Sequence, residues 1–526
     1  MLFNSADFLI FFPIVFAFYL VIPRKLRAVW LLVSSYYFYM CWNAKYIVLI
    51  LFTTIVTYAA ALGVERMRRW AKVWLTAAII SNLILLFIFK YADFALENVN
   101  AVLNLVHLQA LDNPFDVVLP VGISFYTFQT FSYVIDVYRG RTKAEHNLIY
   151  YALFASYFPQ LVAGPIERSD HLLRQLRTLP DRKLVSFEKA SSGFAMMLWG
   201  LFMKMVIADR ISIFVDGVWD NLFACGTVET VLAAAGFAVQ IYCDFGGYSA
   251  IAIGASRIMG IELMENFNTP YFSKSISEFW RRWHISLSSW LRDYIYIPLG
   301  GNRCSRLRRY LNIMITFFLS GLWHGASWTY IFWGVLHGAY QVIGDVLRPL
   351  RNRIYGLEDA TLVRGGEGSP ASAETAQAPG AESRRSASAP LLPVNHRAFS
   401  YRLGQTAFTF LLTTFAWIFF RAETMADAAY YLNRMVTRFN PWVLFNDEIY
   451  AFGLDEKECA IFFMALLLLL TVDLIRYVKK MDFGTFLYTQ NMVFRWLVML
   501  FLIAALLVYG EYGITFSSAQ FIYFAF

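Results

Sequence analysis

Ile313-Met-Ile-Thr-Phe-Phe-Leu-Ser-Gly-Leu-Trp-His-Gly-Ala-Ser-Trp-Thr-Tyr-Ile-Phe-Trp-Gly-Val-Leu-His-Gly-Ala339 contains no Asp, Glu, Lys or Arg. An apolar run of this kind is at home in hydrocarbon, and with its flanks it is long enough for a pair of helices within 310 to 347. Set within it is Gly321-Leu322-Trp323-His324-Gly325-Ala326. An ionisable side chain at that depth is costly and usually faces a protein interior or a water-filled path, where it handles protons or substrate. His324 is therefore the first catalytic candidate. A core histidine hydrogen-bonded to a neighbouring carbonyl is the plainer alternative, because imidazole finds partners easily.

The composition around this stretch is that of an integral membrane protein. The chain of 526 residues is 58% hydrophobic and 16% charged, against roughly 25% charged in an ordinary soluble domain, and its mean hydropathy is +0.49. The net charge of +8 is read as positive-inside topology rather than as the mark of a nucleic-acid partner. Basic clusters at Arg24/Lys25/Arg27, Arg66/Arg68/Arg69/Lys72, Arg139/Arg141/Lys143, Arg168 to Lys183, Lys274 to Arg309, Arg348 to Arg402 and Arg476/Lys479/Lys480 are assigned to the cytoplasm. The neutral or acidic loops from Asp93 to Asp116, Asp209 to Glu229 and Glu423 to Glu458 are assigned to the outside.

This alternation predicts spans near 6 to 22, 26 to 42, 46 to 63, 74 to 91, 117 to 137, 190 to 208, 228 to 247, the pair within 310 to 347, then 402 to 420, 459 to 475 and 494 to 510. The expected fold is all-α and polytopic, with about a dozen transmembrane helices and both termini extracytoplasmic. The first segment lacks a basic n-region and a small-residue cleavage site, so it reads as a retained span. Leu148 to Ala163 is apolar yet has basic loops on both sides, which predicts a re-entrant or interfacial segment whose backbone is satisfied by protein or water. Gly365 to Pro393, rich in Ser, Ala, Gly, Pro and Glu, reads as a disordered cytoplasmic insert. The domain plan is a core over 1–347, a cytoplasmic loop over 348–400, further helices of the same domain over 401–510, and an outer tail over 511–526. The five cysteines are scattered without metal-binding or disulfide spacing, and no metal site is expected.

Two further regions carry polar chemistry. Asn266 to Arg303 mixes Trp280, Trp283 and Trp290 with Arg281, Arg282 and Arg292, which suits either an aromatic and basic belt against headgroups or a mouth that binds anionic donor groups through guanidinium forks. Within it Ser275-Ile-Ser-Glu278 reads as a capping box, and His284 lies on the helix it would start. In Val118 to Gly140, Gln129, Ser132 and Asp136 share one face of a predicted helix, and they either line a cavity or pack on another helix. Asp136 can also pair simply with Arg139.

Pro120-Val-Gly-Ile-Ser-Phe-Tyr-Thr-Phe-Gln129, Gly164-Pro-Ile, Gln240-Ile-Tyr-Cys-Asp-Phe-Gly-Gly-Tyr-Ser249, Phe279-Trp-Arg-Arg-Trp-His-Ile-Ser-Leu-Ser288, Trp290-Leu-Arg-Asp-Tyr294, Leu299-Gly-Gly-Asn-Arg303 and Trp323-His-Gly-Ala326 resemble the membrane-bound O-acyltransferase (MBOAT) family. The similar branch is the bacterial one of alginate and peptidoglycan O-acetyltransferases, with likeness to the D-alanyl transferase of teichoic acid. The resemblance covers most of residues 1 to 425 but not the insert. It implies a curved ring of helices, thinned at the centre, where a cytoplasmic tunnel meets an outer funnel. It also implies that His324 is the catalytic histidine and that His284 is its second polar partner. Phe521-Ile-Tyr-Phe-Ala-Phe526 is similar to a C-terminal motif of such systems whose tyrosine is proposed to relay the acyl group, which would make Tyr523 an acceptor. Ala525 stands where glutamine is usual, and an aromatic interfacial anchor is the alternative.

These readings combine into an O-acyltransferase of the bacterial cytoplasmic (inner) membrane. It would pass an acyl group, by default acetyl, from a cytoplasmic thioester such as acetyl-CoA to a hydroxyl on an extracytoplasmic polysaccharide. His324 is the expected general base and His284 the residue that orients or polarises the donor carbonyl. Arg281, Arg282, Arg292 and Trp323 are the expected donor-binding residues, with Gln129 and Ser132 lining the cavity. No cofactor is expected to be held permanently. The expected partners are the bilayer, the donor, the polysaccharide and a separate extracytoplasmic transferase of the SGNH type, since the chain has no GxSxG elbow of its own. A proton-coupled transporter, or lipid or protein acylation by the same fold, are the competing readings.

Overall fold

The computed structural model describes residues 1–113, 118–181, 186–355, 395 and 398–512. The insert at 365–393 and Tyr523 lie outside the described residues. All regular structure among the described residues is helical. Six helical stretches are long and apolar enough to cross a membrane by length and composition: Ala44–Arg66, Arg68–Leu105, Thr227–Ile258, Phe399–Arg421, Glu456–Lys479 and Met492–Tyr509. The other expected spans also fall on helices, but on shorter or more polar ones. Ala6–Val21 has 16 residues with Pro13 inside it, and Arg27–Met40 has 14. Arg306–His324 turns Asn312, Thr316, Ser320 and His324 to its buried side.

Two helices are interrupted where a lysine enters an apolar run. The Arg68–Leu105 stretch widens into a π-helical turn at Phe87–Tyr91 that contains Lys90, and Phe187–Phe202 continues through a second at Met203–Ala208 that contains Lys204. π-Turns of this sort are frequent at functional sites, because the extra residue re-aims a side chain. Lys204 uses the displacement to reach Asp209 at 2.7 Å and Asp244 at 2.6 Å, and all three groups are buried.

Thr227–Ile258 is the most buried of the six stretches. Phe187–Phe202 lies against it closely enough that a Cβ on Gly200 would stand 2.5 Å from the carbonyl oxygen of Gly247, and one on Gly254 would stand 2.5 Å from that of Gly193. Both helices thus place glycine seven residues apart at the crossing, which lets the backbones touch, as small residues do between helices in lipid.

Leu148 to Ala163 is broken into pieces, each too short to cross a membrane by itself. It forms Leu148–Ser156 of 9 residues and Phe158–Leu161 of 4, and nine residues rise only about 14 Å. Its apolar character reflects burial in protein, and protein side chains satisfy the break between the two pieces. The carbonyl of Phe154 accepts from Gln129 Nε2 at 2.6 Å and Gln160 Nε2 at 3.1 Å, while the N–H of Phe158 donates to Ser35 Oγ at 3.1 Å. That is the condition under which irregular backbone is tolerated at depth.

Candidate active site

His324 is the last residue of the Arg306–His324 helix, and Gly325 leaves it in an extended conformation before the chain turns back as Trp328–Val346. Aromatic rings wall the imidazole: Trp323 at 4.8 Å between centroids, Trp333 at 5.0 Å and Phe420 at 5.4 Å. The ring of His284 stands 6.3 Å away. Both histidines are buried.

His284 does not lie within a helix as the capping-box reading expects. Ser275 does cap a helix, its side chain accepting from the N–H of Glu278, but that helix ends at Arg282. His284 then takes a left-handed backbone, φ 44° and ψ 55°, and opens a new helix over Ile285–Leu291. A non-glycine residue in this region costs energy and persists where its surroundings hold it. Asn266 does the holding. Its backbone oxygen accepts from the N–H of Ile285 at 2.9 Å, and its Oδ1 accepts from Ser286 Oγ at 2.9 Å and lies 2.9 Å from His284 Nδ1. Its Nδ2 donates to Ser249 Oγ at 3.2 Å. Because Oδ1 can only accept, His284 Nδ1 carries the proton, and Nε2 of the neutral ring is an acceptor.

The segment before Asn266 is pinned in turn. Glu167 accepts from the N–H of Met264 at 2.5 Å, and Gln175 pairs with both the N–H and the carbonyl of Glu262. His171 closes on Glu167 at 2.7 Å. Hydrogen bonding to the carboxylate raises the His171 pKa, and burial raises that of Glu167.

Two cavities approach the pair. The first is lined by Lys90, the Leu119–Phe125 segment, Val162, Trp323 and His324. The second is lined by Trp199, Met203, Tyr242, Ser249, Asn266, Asp473, Arg476 and Phe483 among others. One cavity thus touches His324 directly, and the other reaches Asn266, which contacts His284 from behind.

The remaining sequence candidates are distributed unevenly. Trp323 lines the first cavity, and its ring meets Phe125 at 5.2 Å. Arg282 is engaged within the protein, by Glu278 at 3.0 Å, Thr269 at 3.1 Å and the carbonyl of Asn268 at 3.3 Å, and its guanidinium lies over the Tyr477 ring. Arg281 is exposed, and Arg292 is exposed and paired with Asp293 at 2.8 Å. Gln129 and Ser132 line neither cavity. Gln129 ties its helix to Phe154 and Gln160, and Ser132 Oγ donates to the carbonyl of Gln129 at 2.6 Å. Asp136 accepts from Tyr294 at 2.6 Å and faces Arg141 at 3.6 Å, so of the alternatives left open for it the direct pair with Arg139 is not the one formed.

Sequence reasoning missed three residues. Lys90 reaches the end of the His324 helix, its Nζ 2.6 Å from the carbonyl of Trp323 and 3.2 Å from that of His324. Its only signal was a single cation in an apolar stretch. Asn266 had no signal beyond its place in a dense region. His337 is buried, accepts from Trp280 Nε1 through Nδ1 at 3.2 Å, and sits 5.1 Å from the Trp333 ring. Its spacing of four from Trp333 could have put it on the same helix face.

Residues 140–358 match the membrane-bound O-acyltransferase family. The chain is 38% identical over 456 residues to a probable alginate O-acetylase of Pseudomonas putida, covering 84% of this chain and 82% of that protein. It is 42% identical over 357 residues to a probable alginate O-acetylase of Pseudomonas aeruginosa, covering 66% of each. It is 35% identical over 370 residues to a peptidoglycan O-acetyltransferase of Helicobacter pylori, covering 64% of this chain and 69% of that one.

Proposed function

The chain belongs to the membrane-bound O-acyltransferase family, and from that premise we propose that it moves an acetyl group from a cytoplasmic thioester to a hydroxyl on the outer side, for O-acetylation of an extracytoplasmic polysaccharide. It is an acyltransferase with several membrane-spanning helices; the direction of transfer, the donor and the acceptor are the proposal. One observation carries it most: the buried pair His284 and His324, 6.3 Å apart, with His324 at the wall of a cavity.

In this reading the acceptor hydroxyl enters the first cavity. His324 takes its proton as the oxygen attacks the thioester carbonyl, the C–S bond breaks, and the proton passes to the departing thiolate. General-base help of this kind contributes typically about 10² to 10⁴ in rate. The hydrogen bond to Asn266 narrows what His284 does. With its proton on Nδ1 a neutral His284 cannot donate from Nε2 to a carbonyl oxygen, so it orients the donor by accepting, for example from an amide N–H of the thioester arm. A coenzyme A thioester is the proposed donor, with Arg281 and Arg292 the more open of the three arginines assigned to its phosphates.

The proposal further places the protein in the bacterial inner membrane as a ring of about a dozen helices around a tunnel, with both termini outside. It also assigns an SGNH-type partner and Tyr523 as an acyl relay. Acetyl transfer by detergent-solubilised protein, with no gradient present, separates the enzyme from a transporter. His324→Ala should lower that transfer at least about 100-fold with membrane yield and monodispersity unchanged. Residual activity above about a tenth of wild type would remove His324 from the base role.

A further inference from the structure

The two residues that follow Gly164-Pro165-Ile166 line neither cavity, yet both are buried, Glu167 at 0% exposure and Arg168 at 9%. The turn that leads to them is close-packed, since a Cβ on Gly164 would stand 2.3 Å from Gln160 Cα. A carboxylate at such a place is costly unless hydrogen bonds offset the hydration it has lost, so its partners show what it is for. Those of Glu167 are the backbone N–H of Met264 at 2.5 Å and His171 Nδ1 at 2.7 Å.

Residues 261–267 form no regular element, so their position depends on what holds them. Every second residue of this stretch is tied. Gln175 takes the N–H of Glu262 at 3.0 Å and its carbonyl at 2.7 Å, and Glu167 takes the N–H of Met264. The carbonyl of Asn266 then accepts from the N–H of Ile285, and the N–H of Asn268 donates to the carbonyl of Arg282, each at 2.9 Å. A spacing of two is how an extended chain presents its polar groups to one edge. Gln175 and Glu167 grip the first half of that edge, and the second half grips the chain on both sides of His284. The flanking helices Ile276–Arg282 and Ile285–Leu291 have seven residues each, too few to fix the turn between them unaided. Arg168 fastens the far side of the same piece, pairing with Asp293 at 3.4 Å and lying 4.7 Å from the Tyr294 ring centroid.

We propose that Glu167 is a positioning residue for His284. Its hold on Met264 sets where Asn266 stands, and Asn266 Oδ1 keeps the proton of His284 on Nδ1. The left-handed backbone of His284, φ 44°, persists because its surroundings over-determine it, and Glu167 anchors those surroundings from a segment over a hundred positions earlier in the chain. Without that anchor the edge drifts, Oδ1 leaves Nδ1, and the proton divides between the two ring nitrogens. The effect on reaction rate rests on the acyltransferase reading; the effect on the His284 tautomer does not.

The test uses full-length protein in nanodiscs with isotope-labelled histidine, read by solid-state NMR of the ring nitrogens, the His284 signals being those that His284→Gln removes. Wild type should show His284 as the Nδ1–H tautomer alone. Glu167→Ala should give a mixture of both tautomers and lower kcat for acetyl transfer at least about tenfold, but less than about twofold further in the His284→Ala background. Glu167→Gln keeps an oxygen for the N–H of Met264, so it should keep the single tautomer and at least about a third of the rate. A single Nδ1–H signal in Glu167→Ala, a mixture in Glu167→Gln, or equal rate losses with and without His284 overturns the positioning role, the last by showing that Glu167 only supports the fold. Should Glu167→Ala not fold, Gln175→Ala, which frees only the half-buried backbone of Glu262, replaces it, with a mixture again expected and a single Nδ1–H signal again overturning. Acetyl transfer from acetyl-CoA on the same wild-type sample separates the two ideas. The tautomer change without wild-type transfer leaves the positioning role standing and sinks the acyltransferase reading, and transfer with an unchanged tautomer does the reverse.

Discussion

Replacing Asn266 with alanine is the perturbation that most directly tests how the histidine pair is held. The side chain is buried and makes four hydrogen bonds, one each to His284 and Ser249 and two to Ser286. Stranding a buried donor such as the His284 Nδ1–H costs about 1–3 kcal/mol, and nothing then fixes which ring nitrogen carries the proton. If that cost falls on the orientation His284 needs in the transition state, kcat drops roughly 5- to 150-fold, at 1.4 kcal/mol per tenfold. Part of any loss will be general destabilisation, so the measurement is a double-mutant cycle with His284→Ala, reading acetyl transfer by purified protein. If Asn266 acts through His284, Asn266→Ala in the His284→Ala background should cost less than about twofold more. Additive effects within about 0.5 kcal/mol would refute the argument and leave Asn266 as a packing residue of the second cavity.

Other parts of the molecule yield expectations of different kinds. Lys204→Met removes the cation shared by Asp209 and Asp244 and strands two buried carboxylates, so it should destabilise by about 3–5 kcal/mol, seen as a lower melting temperature in detergent. Adding Asp209→Asn and Asp244→Asn should recover much of that loss if uncompensated charge is the cause, and an unaltered single variant would show the triad to be dispensable. Tyr523→Phe keeps an aromatic ring and removes only the hydroxyl. It should stop delivery to the final acceptor while donor hydrolysis survives, and full polymer acetylation by this variant would end the relay proposal.

The helical character and most helix positions were legible in the sequence because hydropathy reads the solvent a segment lives in. The run from Leu148 to Ala163 shows where that reading changes meaning: it is as apolar as a span, yet it is buried in protein, and only the basic loops on both sides gave it away. The polar face of Gln129 and Ser132 allowed two outcomes, and the structure takes the packing one, because the break between the two short helices needed side-chain donors for the Phe154 carbonyl. His324 and His284 stood out as ionisable groups in apolar or aromatic settings. Lys90, Asn266 and His337 did not, because their significance depends on what lies across the fold. Lys90 meets the His324 helix end from 234 positions away in the chain; Asn266 matters only once the chain between Arg282 and Ile285 turns left-handed and presents His284 to it. Local signals identify what a side chain can do, while long-range packing decides which other side chain makes it do so. The chemistry proposed here is therefore better tested on pairs of residues than on single ones, since Asn266 acts on the reaction only through His284.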